Sequence, residues 1–313
     1  MHRTTLSLVA ASKYGVAVTL ASIPSPKPNH LKRWHAIVGT IAGGILAQGG
    51  SLVFVVAGLG VLMVYHGQTN AKDLQQIPGA PLVLTVSALA ASVFLLAASF
   101  ATPAIAKVRI RPALGLVSAP FWTFPAAALG ALGLGPIGSL VHEGVKKIAP
   151  GWTLGTIDFL NDFAAGNAAL IVWPLLAVMP AFCEEIFFRG MLQRALGTTR
   201  WAIIVSGVSF ALFHLDPHHV AAVLPVGLYM AWLAARTGST FVPIMAHLTN
   251  NSIAVIALQF QDASAAEKAS DSVPLWILPP AIIAVLASVA IVRHAMRRRD
   301  AAASASASPL RSS

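Results

Sequence analysis

The sequence predicts an all-α membrane protein, a polytopic bundle of about eight transmembrane helices. Of its 313 residues, 56% are hydrophobic and only 10% are charged, whereas a soluble domain carries roughly a quarter charged residues. The apolar residues stand in runs that approach or exceed the roughly 20 residues needed to cross a bilayer as a helix. Short basic clusters separate these runs, as is typical of cytoplasmic loops.

The apolar runs give the order of the predicted spans. They cover residues 36–65, 80–105, 113–140, 168–190, 201–217, 219–235, 240–260 and 273–292. The fifth and sixth are the shortest. We divide the chain into an N-terminal arm, three first transmembrane helices, a core, and a last helix with a basic, disordered tail: 1–34, 35–140, 141–260 and 261–313. The composition predicts disorder from residue 301 onward.

The charge distribution predicts the orientation and excludes one class of function. With eight spans, nearly all basic clusters fall on one side, which the positive-inside rule makes cytoplasmic together with both termini. Lys146 and Lys147 are the exception. The formal charge of +10 is spread between apolar runs rather than gathered on one face, which argues against nucleic-acid binding. Lys13 interrupts the apolar stretch near the N-terminus, so we expect a cytoplasmic arm there rather than a signal peptide.

Three polar motifs interrupt the later apolar runs. Ionisable side chains inside a membrane cost on the order of 3 kcal/mol each and are functional candidates for that reason. The motifs are Glu184-Glu185-x-x-x-Arg189, Phe210-x-x-x-His214 and His247-x-x-x-Asn251. Residues four apart share a helix face, so we expect Glu185 to pair with Arg189 and Phe210 to lie beside His214. Glu184 points about 100° away from the pair and stays available.

These residue types suit the hydrolysis of an acyl bond. Counted from the cytoplasmic ends of their helices, Glu184, His214 and His247 lie at depths of about 18, 20 and 16 Å if the helix of His247 starts at Arg236. A start at Thr240 makes the match in depth worse. A desolvated Glu184 with free oxygens is a candidate general base, acting on a water molecule that it holds together with His214. His247 and Asn251 are candidate donors to the oxyanion that forms on an attacked carbonyl.

The same side chains are also candidate metal ligands. Glu184, His214 and His247 form a set that zinc accepts, and zinc would activate a bound water. The chain has no His-Glu-x-x-His helix, so the signature of the soluble zinc proteases is absent. The residues alone leave the metal-dependent and metal-free routes open, and they predict no other cofactor.

Taken together and in this order, the three motifs resemble the CPBP family of intramembrane proteases. This family contains the type II CAAX prenyl proteases and the lysostaphin resistance protein A-like proteins, and the resemblance covers residues 168–257. It implies a helical endopeptidase whose active site opens to the cytoplasm. By the same resemblance, Glu184 and His214 activate water, His247 and Asn251 stabilise the oxyanion, and Glu185 and Arg189 support them.

The resemblance also implies the partners: the lipid bilayer and a hydrophobic or lipidated peptide, prenylated in some members of the family. The Ala-rich composition suits a bacterial protein, so we expect a multi-pass protein of a bacterial plasma membrane. The family has been described both as metalloproteases and as metal-free glutamate proteases, and this likeness does not choose between them.

The same residues also occur in proteins of other functional classes, and some of them have alternative roles. A proton-coupled transporter would use Glu184 and His214 as a relay, but it predicts matched broken helices in two halves of the chain, which the sequence lacks. A scaffold without activity has no use for a desolvated carboxylate. Cys183 is a candidate nucleophile with His214, although a lone membrane thiol is more often a packed apolar residue. His218 and His219 suggest either a metal site or a polar turn, and the turn is preferred.

Overall fold

The structure is a computed structural model that describes residues 29–67, 78–153, 169–259 and 274–306. The described residues are helical, as predicted, and contain no strand. Seven helices are long and apolar enough to cross a membrane, which together with one shorter apolar helix agrees with about eight spans. Most of the predicted N-terminal arm lies outside the described residues.

We number the helices in chain order. They are α1 (Arg33–Tyr65), α2 (Ala80–Ile105), the short α3 (Ile110–Ala113), α4 (Thr123–Ile148), α5 (Ala169–Leu196), α6 (Arg200–Leu212), α7 (Pro217–Thr237), α8 (Phe241–Gln259) and α9 (Leu275–Ser306). Helices α1 and α2 pack together, and α4 packs against α7, α8 and α9. The main core gathers residues from all of these long helices around the middle of α5.

The predicted third span, 113–140, is wrong at both ends. Helix α3 stops at Ala113, and α4 begins only at Thr123 and continues to Ile148. The chain between them turns at Gly115, whose φ of +63° favours glycine. The hydroxyl and the amide of Thr240 donate to the carbonyls of Leu114 and Gly115, at 2.6 and 2.9 Å. This segment is therefore packed against the start of α8 rather than placed in a span.

Two further corrections concern helix ends. The predicted fifth span ran to residue 217, but α6 ends at Leu212, because Pro217 opens the next helix and Asp216 caps it through the amides of His218 and His219. The tail was predicted to be disordered from residue 301, but α9 continues to Ser306. That prediction is wrong for 301–306, and residues 307–313 lie outside the described part.

Helix α5 is not a uniform α-helix. It contains two π-helical stretches, Pro174–Val178 and Ile186–Gln193. Proline lacks the amide that an α-turn needs, which accounts for the first stretch. The second begins directly after Glu185 and is buried along its whole length. Insertions of this kind recur at functional sites because they change the direction of the side chains that follow.

Candidate functional site

The site is built around Glu185, which is fully buried. Its Oε1 lies 2.7 Å from Nη1 of Arg189, and both side chains are closed to solvent. The same oxygen lies 2.9 Å from Nδ1 of His247 on α8. One carboxylate oxygen thus joins two helices, and the predicted pair between residues 185 and 189 is present.

Arg189 makes contact with three helices. Besides Glu185 on its own helix, it donates through Nη2 to the carbonyl of Gly227 on α7 at 2.8 Å. Its Cζ lies 4.4 Å from the centre of the Phe210 ring on α6, a cation–π geometry. These contacts hold the guanidinium in the middle of the bundle, where an unpaired charge would be strongly destabilising.

Glu184 has a different environment from its neighbour. Its side chain is 14% exposed, and within the described residues its buried Oε2 has no hydrogen-bond partner. This oxygen faces Nε2 of His247 across 4.0 Å. One carboxylate is therefore held by two partners, and the other presents a free oxygen, as the motif predicted.

The contacts of His247 fix which of its nitrogens carries a proton. A carboxylate accepts, so Nδ1 donates to Glu185 and Nε2 is left to face Glu184.

Phe210 is the centre of the aromatic part of the site. Its ring lies 5.0 Å from that of His214 and 5.5 Å from that of His247, both edge to face. The neighbour relation between Phe210 and His214 agrees with the predicted spacing. The ring also contacts the guanidinium of Arg189, so one side chain packs against both histidines and the arginine. Sequence reasoning named Phe210 only as part of the Phe210-x-x-x-His214 motif and missed its contacts with His247 and Arg189.

His214 lies beyond the end of α6 rather than within it. The predicted depth that the structure contradicts is that of His247, which assumed a helix from Arg236, whereas α8 begins at Phe241. Nδ1 of His214 lies 3.0 Å from the carbonyl of Phe210; since a carbonyl accepts, Nδ1 carries the proton and Nε2 keeps its lone pair. The ring also lies 4.4 Å from that of His219.

Asn251 follows His247 by one turn on α8, as predicted. Its Nδ2 donates to the carbonyl of Leu176 at 3.1 Å, and its Oδ1 accepts from Asn250 at 3.2 Å. The carbonyl of Leu176 belongs to the first π-helical stretch of α5. Asn251 thus ties α8 to α5 with one of its two amide hydrogens.

The arrangement does not fit a zinc site made of Glu184, His214 and His247. Within residues 29–67, 78–153, 169–259 and 274–306, no three His, Cys, Asp or Glu side chains are grouped so that they would hold a metal ion. A catalytic zinc needs three protein ligands at about 2.0–2.2 Å. We therefore derive no chemical step through a metal.

The remaining candidates are explained by packing and capping. Cys183 is buried and has no recorded contact with His214. His218 donates from Nε2 to the carbonyl of Ala149 at 2.8 Å, and its backbone amide donates to Oδ1 of Asp216. The polar-turn interpretation of 218 and 219 is therefore the better one.

Sequence reasoning also missed Gly227, although a glycine two residues after Pro225 in an apolar helix signals a close approach. A Cβ atom built on Gly227 would lie 2.9 Å from Cδ1 of Phe210 and 3.1 Å from the carbonyl oxygen of Gly207. Gly227 thus lets α6 approach α7 and brings Phe210 to the carbonyl that binds Arg189.

We expect Gly227→Ala to displace Phe210 and to destabilise the protein by about 1–3 kcal/mol, the usual cost of overpacking. Activity should fall with stability because both histidines rest on that ring. Thermal unfolding in detergent measures the first effect. Gly144→Ala is the matched control, since nothing lies within 4 Å of its added Cβ and alanine favours a helix. Equal melting temperatures for the two variants would contradict the role of Gly227.

The comparisons with known proteins point the same way as the site. Residues 166–253 match the family model described as "Type II CAAX prenyl endopeptidase Rce1-like". The chain is similar to the protein named "Putative membrane peptidase YdiL" of Bacillus subtilis (strain 168), at 37% identity over 89 residues, 28% of this chain and 34% of that protein. The chain thus spans about a third of the length of the curated relative it matches. No solved structure matches it.

The matched segment contains all three motifs, from Glu184 to Asn251. The resemblance drawn from those motifs is thereby confirmed. Neither match favours the transporter alternative.

Proposed function

We propose that the protein is a membrane-embedded endopeptidase of the CPBP family of intramembrane proteases, as the matches of residues 166–253 support. Glu184 acts as the general base with the help of His214. His247 and Asn251 stabilise the oxyanion. Glu185 and Arg189 do not touch the substrate and instead position His247.

The observation that carries this proposal is the division of labour between two adjacent carboxylates. Glu185 is paired through Oε1 with Arg189 at 2.7 Å and His247 at 2.9 Å and is closed to solvent. Within the described residues, Oε2 of each glutamate lacks a hydrogen-bond partner, but only Glu184 is both 14% exposed and without an ion pair to an arginine. A purely structural ion pair needs only the contacts of Glu185. A general base needs an oxygen free to accept a proton from water, and Glu184 supplies it.

The proposed reaction begins with a water molecule between Glu184 and Nε2 of His214, whose lone pair accepts one of its hydrogen bonds. Glu184 takes a proton as the water oxygen bonds to the substrate carbonyl carbon. The resulting oxyanion receives hydrogen bonds from protonated Nε2 of His247 and from the second amide hydrogen of Asn251. The C–N bond then breaks, and Glu184 returns its proton to the leaving amine. Donors placed in this way typically contribute about 10²–10³-fold each.

For the substrate we propose a peptide held at the membrane, hydrophobic or lipidated, including the prenylated CAAX type that the matched family description names. The orientation proposed is both termini in the cytoplasm of a bacterial plasma membrane. It is supported by the basic residues at one end of the bundle, where Arg194 contacts Pro112 and Gly238 and Arg299 contacts Thr237. We call this the basic end.

The test uses the full chain purified in detergent. Two reporters of equal peptide sequence are supplied, one with a farnesylated cysteine near its carboxyl terminus and one without lipid, and the products are identified by mass spectrometry. The proposal expects an internal cut in at least the lipidated reporter. If neither reporter nor any other hydrophobic peptide in a panel is cleaved by folded protein, the endopeptidase assignment is wrong.

The site geometry also gives a prediction about metals. Because no three ligands are grouped within the described residues, activity should remain within about twofold of its starting value after treatment with a zinc chelator, whereas a catalytic zinc supplies the nucleophile itself. Metal content by mass spectrometry is measured on the same samples. Loss of activity on chelation, restored by zinc alone, would overturn the metal-free route.

A further inference from the structure

Helix α6 is too short to cross the membrane. It begins at Arg200, just after α5 reaches the basic end, and stops at Leu212 after 13 residues. This is a length of about 20 Å, whereas the hydrocarbon layer of a bilayer is about 30 Å thick. The last carbonyls of a helix have no partner within the helix, and inside a membrane no bulk water takes that place. The carbonyls at the end of α6 therefore need partners from the protein.

The chain that follows α6 supplies most of these partners. Nδ1 of His214 donates to the carbonyl of Phe210 at 3.0 Å. Three backbone amides donate to three further carbonyls, each at 3.1 Å: Phe213 to Ser209, His214 to Ala211, and Leu215 to Leu212.

The carbonyl of Phe213 has its partner on another helix. Nε2 of Gln48 donates to it at 2.6 Å, between residues 165 positions apart in the sequence. Gln48 lies near the middle of α1 and follows Ala47, which is fully buried in the main core. It also lies outside residues 166–253, which match the family model. Neither the three motifs nor the match includes this residue.

This hydrogen bond acts directly on the backbone of His214. The carbonyl of Phe213 and the amide of His214 belong to one peptide group, which is planar and rigid. Gln48 holds the oxygen of this group, and the carbonyl of Ala211 holds its N–H. The ring of Phe213 also packs on that of Phe188 of α5, with 5.6 Å between the centroids. Because the peptide plane is held, the direction in which the side chain of His214 leaves the backbone is held as well.

We propose that Gln48 is a positioning residue for His214, so that α1 contributes to the site. Glutamine side chains often join membrane helices by hydrogen bonds alone, but here the acceptor is the carbonyl that precedes His214. The catalytic consequence rests on the proposed function, in which Nε2 of His214 accepts a hydrogen bond from the attacking water. The effect of Gln48 on the orientation of the ring does not rest on it.

The first experiment measures kcat and KM on the lipidated reporter. Gln48→Met keeps the length of the side chain and removes the donor. We expect kcat to fall about tenfold, as for the loss of one hydrogen bond, with KM little changed because His214 acts on the water rather than on the substrate. If Gln48→Met does not fold, Gln48→Asn is used, which keeps the amide but is one methylene shorter.

Ser51→Ala is the control for this substitution. It removes a hydrogen bond on the same helix, from the hydroxyl of Ser51 to the backbone carbonyl of Gln48 at 3.0 Å, and should behave as the parent. A loss that appears only in KM, or an equal loss of kcat in Ser51→Ala, would contradict the role of Gln48.

The second experiment observes His214 without using activity. Isotope labelling of the histidine rings gives one NMR signal for each residue in the full chain in detergent, and the signal missing from His214→Gln identifies His214. The rings of Phe210 and His219 lie 5.0 and 4.4 Å from it, so a change in its orientation changes its chemical shift. The signal should move in Gln48→Met and stay in place in Ser51→Ala. An unmoved signal in Gln48→Met overturns the proposal.

The two experiments separate the possible failures. If the signal of His214 moves but kcat is unchanged, Gln48 orients the ring without effect on the reaction, and its role as a positioning residue is wrong. Absence of any cleavage by the parent protein concerns the proposed function instead, and the NMR result then still decides whether Gln48 orients His214.

Discussion

Glu184→Gln is expected to abolish measurable peptide cleavage while leaving the protein folded. Glutamine has the same size and still hydrogen-bonds, but it cannot take a proton from water, and general-base catalysis contributes about 10²–10⁴-fold. We therefore expect kcat to fall by that factor with KM little changed. Initial rates on the lipidated reporter measure kcat and KM. A thermal melt in the same detergent shows that the fold is kept.

Glu143→Gln is the control for this substitution. Glu143 lies on α4, outside the proposed site, so the same chemical change there should leave the rate as it is. If Glu184→Gln retained more than about a tenth of the parent kcat, Glu184 would not be the general base, since that loss is below the range for this type of catalysis.

Arg189→Leu is expected to have the largest effect on stability. Glu185 is fully buried, and Arg189 is the permanently charged one of its two partners, His247 being the other. Removing one member of a buried ion pair costs about 3–5 kcal/mol, because the other charge stays behind without compensation. The variant should melt at a clearly lower temperature and express poorly.

The double variant Glu185→Leu/Arg189→Leu separates stability from catalysis. Replacing both members of a buried pair by apolar residues is often neutral or stabilising, so the double variant should regain much of the lost melting temperature. It should not regain activity, because His247 has lost the carboxylate that orients Nδ1. Arg293→Leu, on the exposed part of α9, should change neither property. A double variant as unstable as Arg189→Leu would show that the pair contributes through shape rather than through charge.

The sequence predicted the contacts between residues of the same helix. The spacing of Glu185 and Arg189, or of Phe210 and His214, fixes contacts within a turn, and these contacts are present. It also predicted that Glu184 would stay apart from the pair. The bond between His247 and Glu185 joins residues 62 positions apart and depends on how α8 packs on α5, which periodicity does not contain.

The helix ends and the π-helical stretches that the sequence analysis missed are local breaks in regular α-helical structure. Apolar composition continues through residues 113–122, so the predicted third span was extended across them. The predicted fifth span was extended to residue 217 although His214, Asp216 and Pro217 interrupt the apolar run there. Gly115, Pro120 and Pro217 mark where the helices begin or end, but an apolar run contains prolines that do not break it, such as Pro136 inside α4. The second π-helical stretch of α5 has no proline at all. It is buried against α1, α2, α6 and α7, and these tertiary contacts have no signal in composition.

The contacts of Arg189 have a consequence for how such proteins diverge. One guanidinium serves a carboxylate on α5, a backbone carbonyl on α7 and an aromatic face on α6. A mutation at any of these three places changes the fit of the other two, so tolerated changes must arrive as coordinated sets. Descendants of this chain should therefore vary most on the outward face of α1, away from α2, while Arg189, Phe210 and Gly227 are retained together.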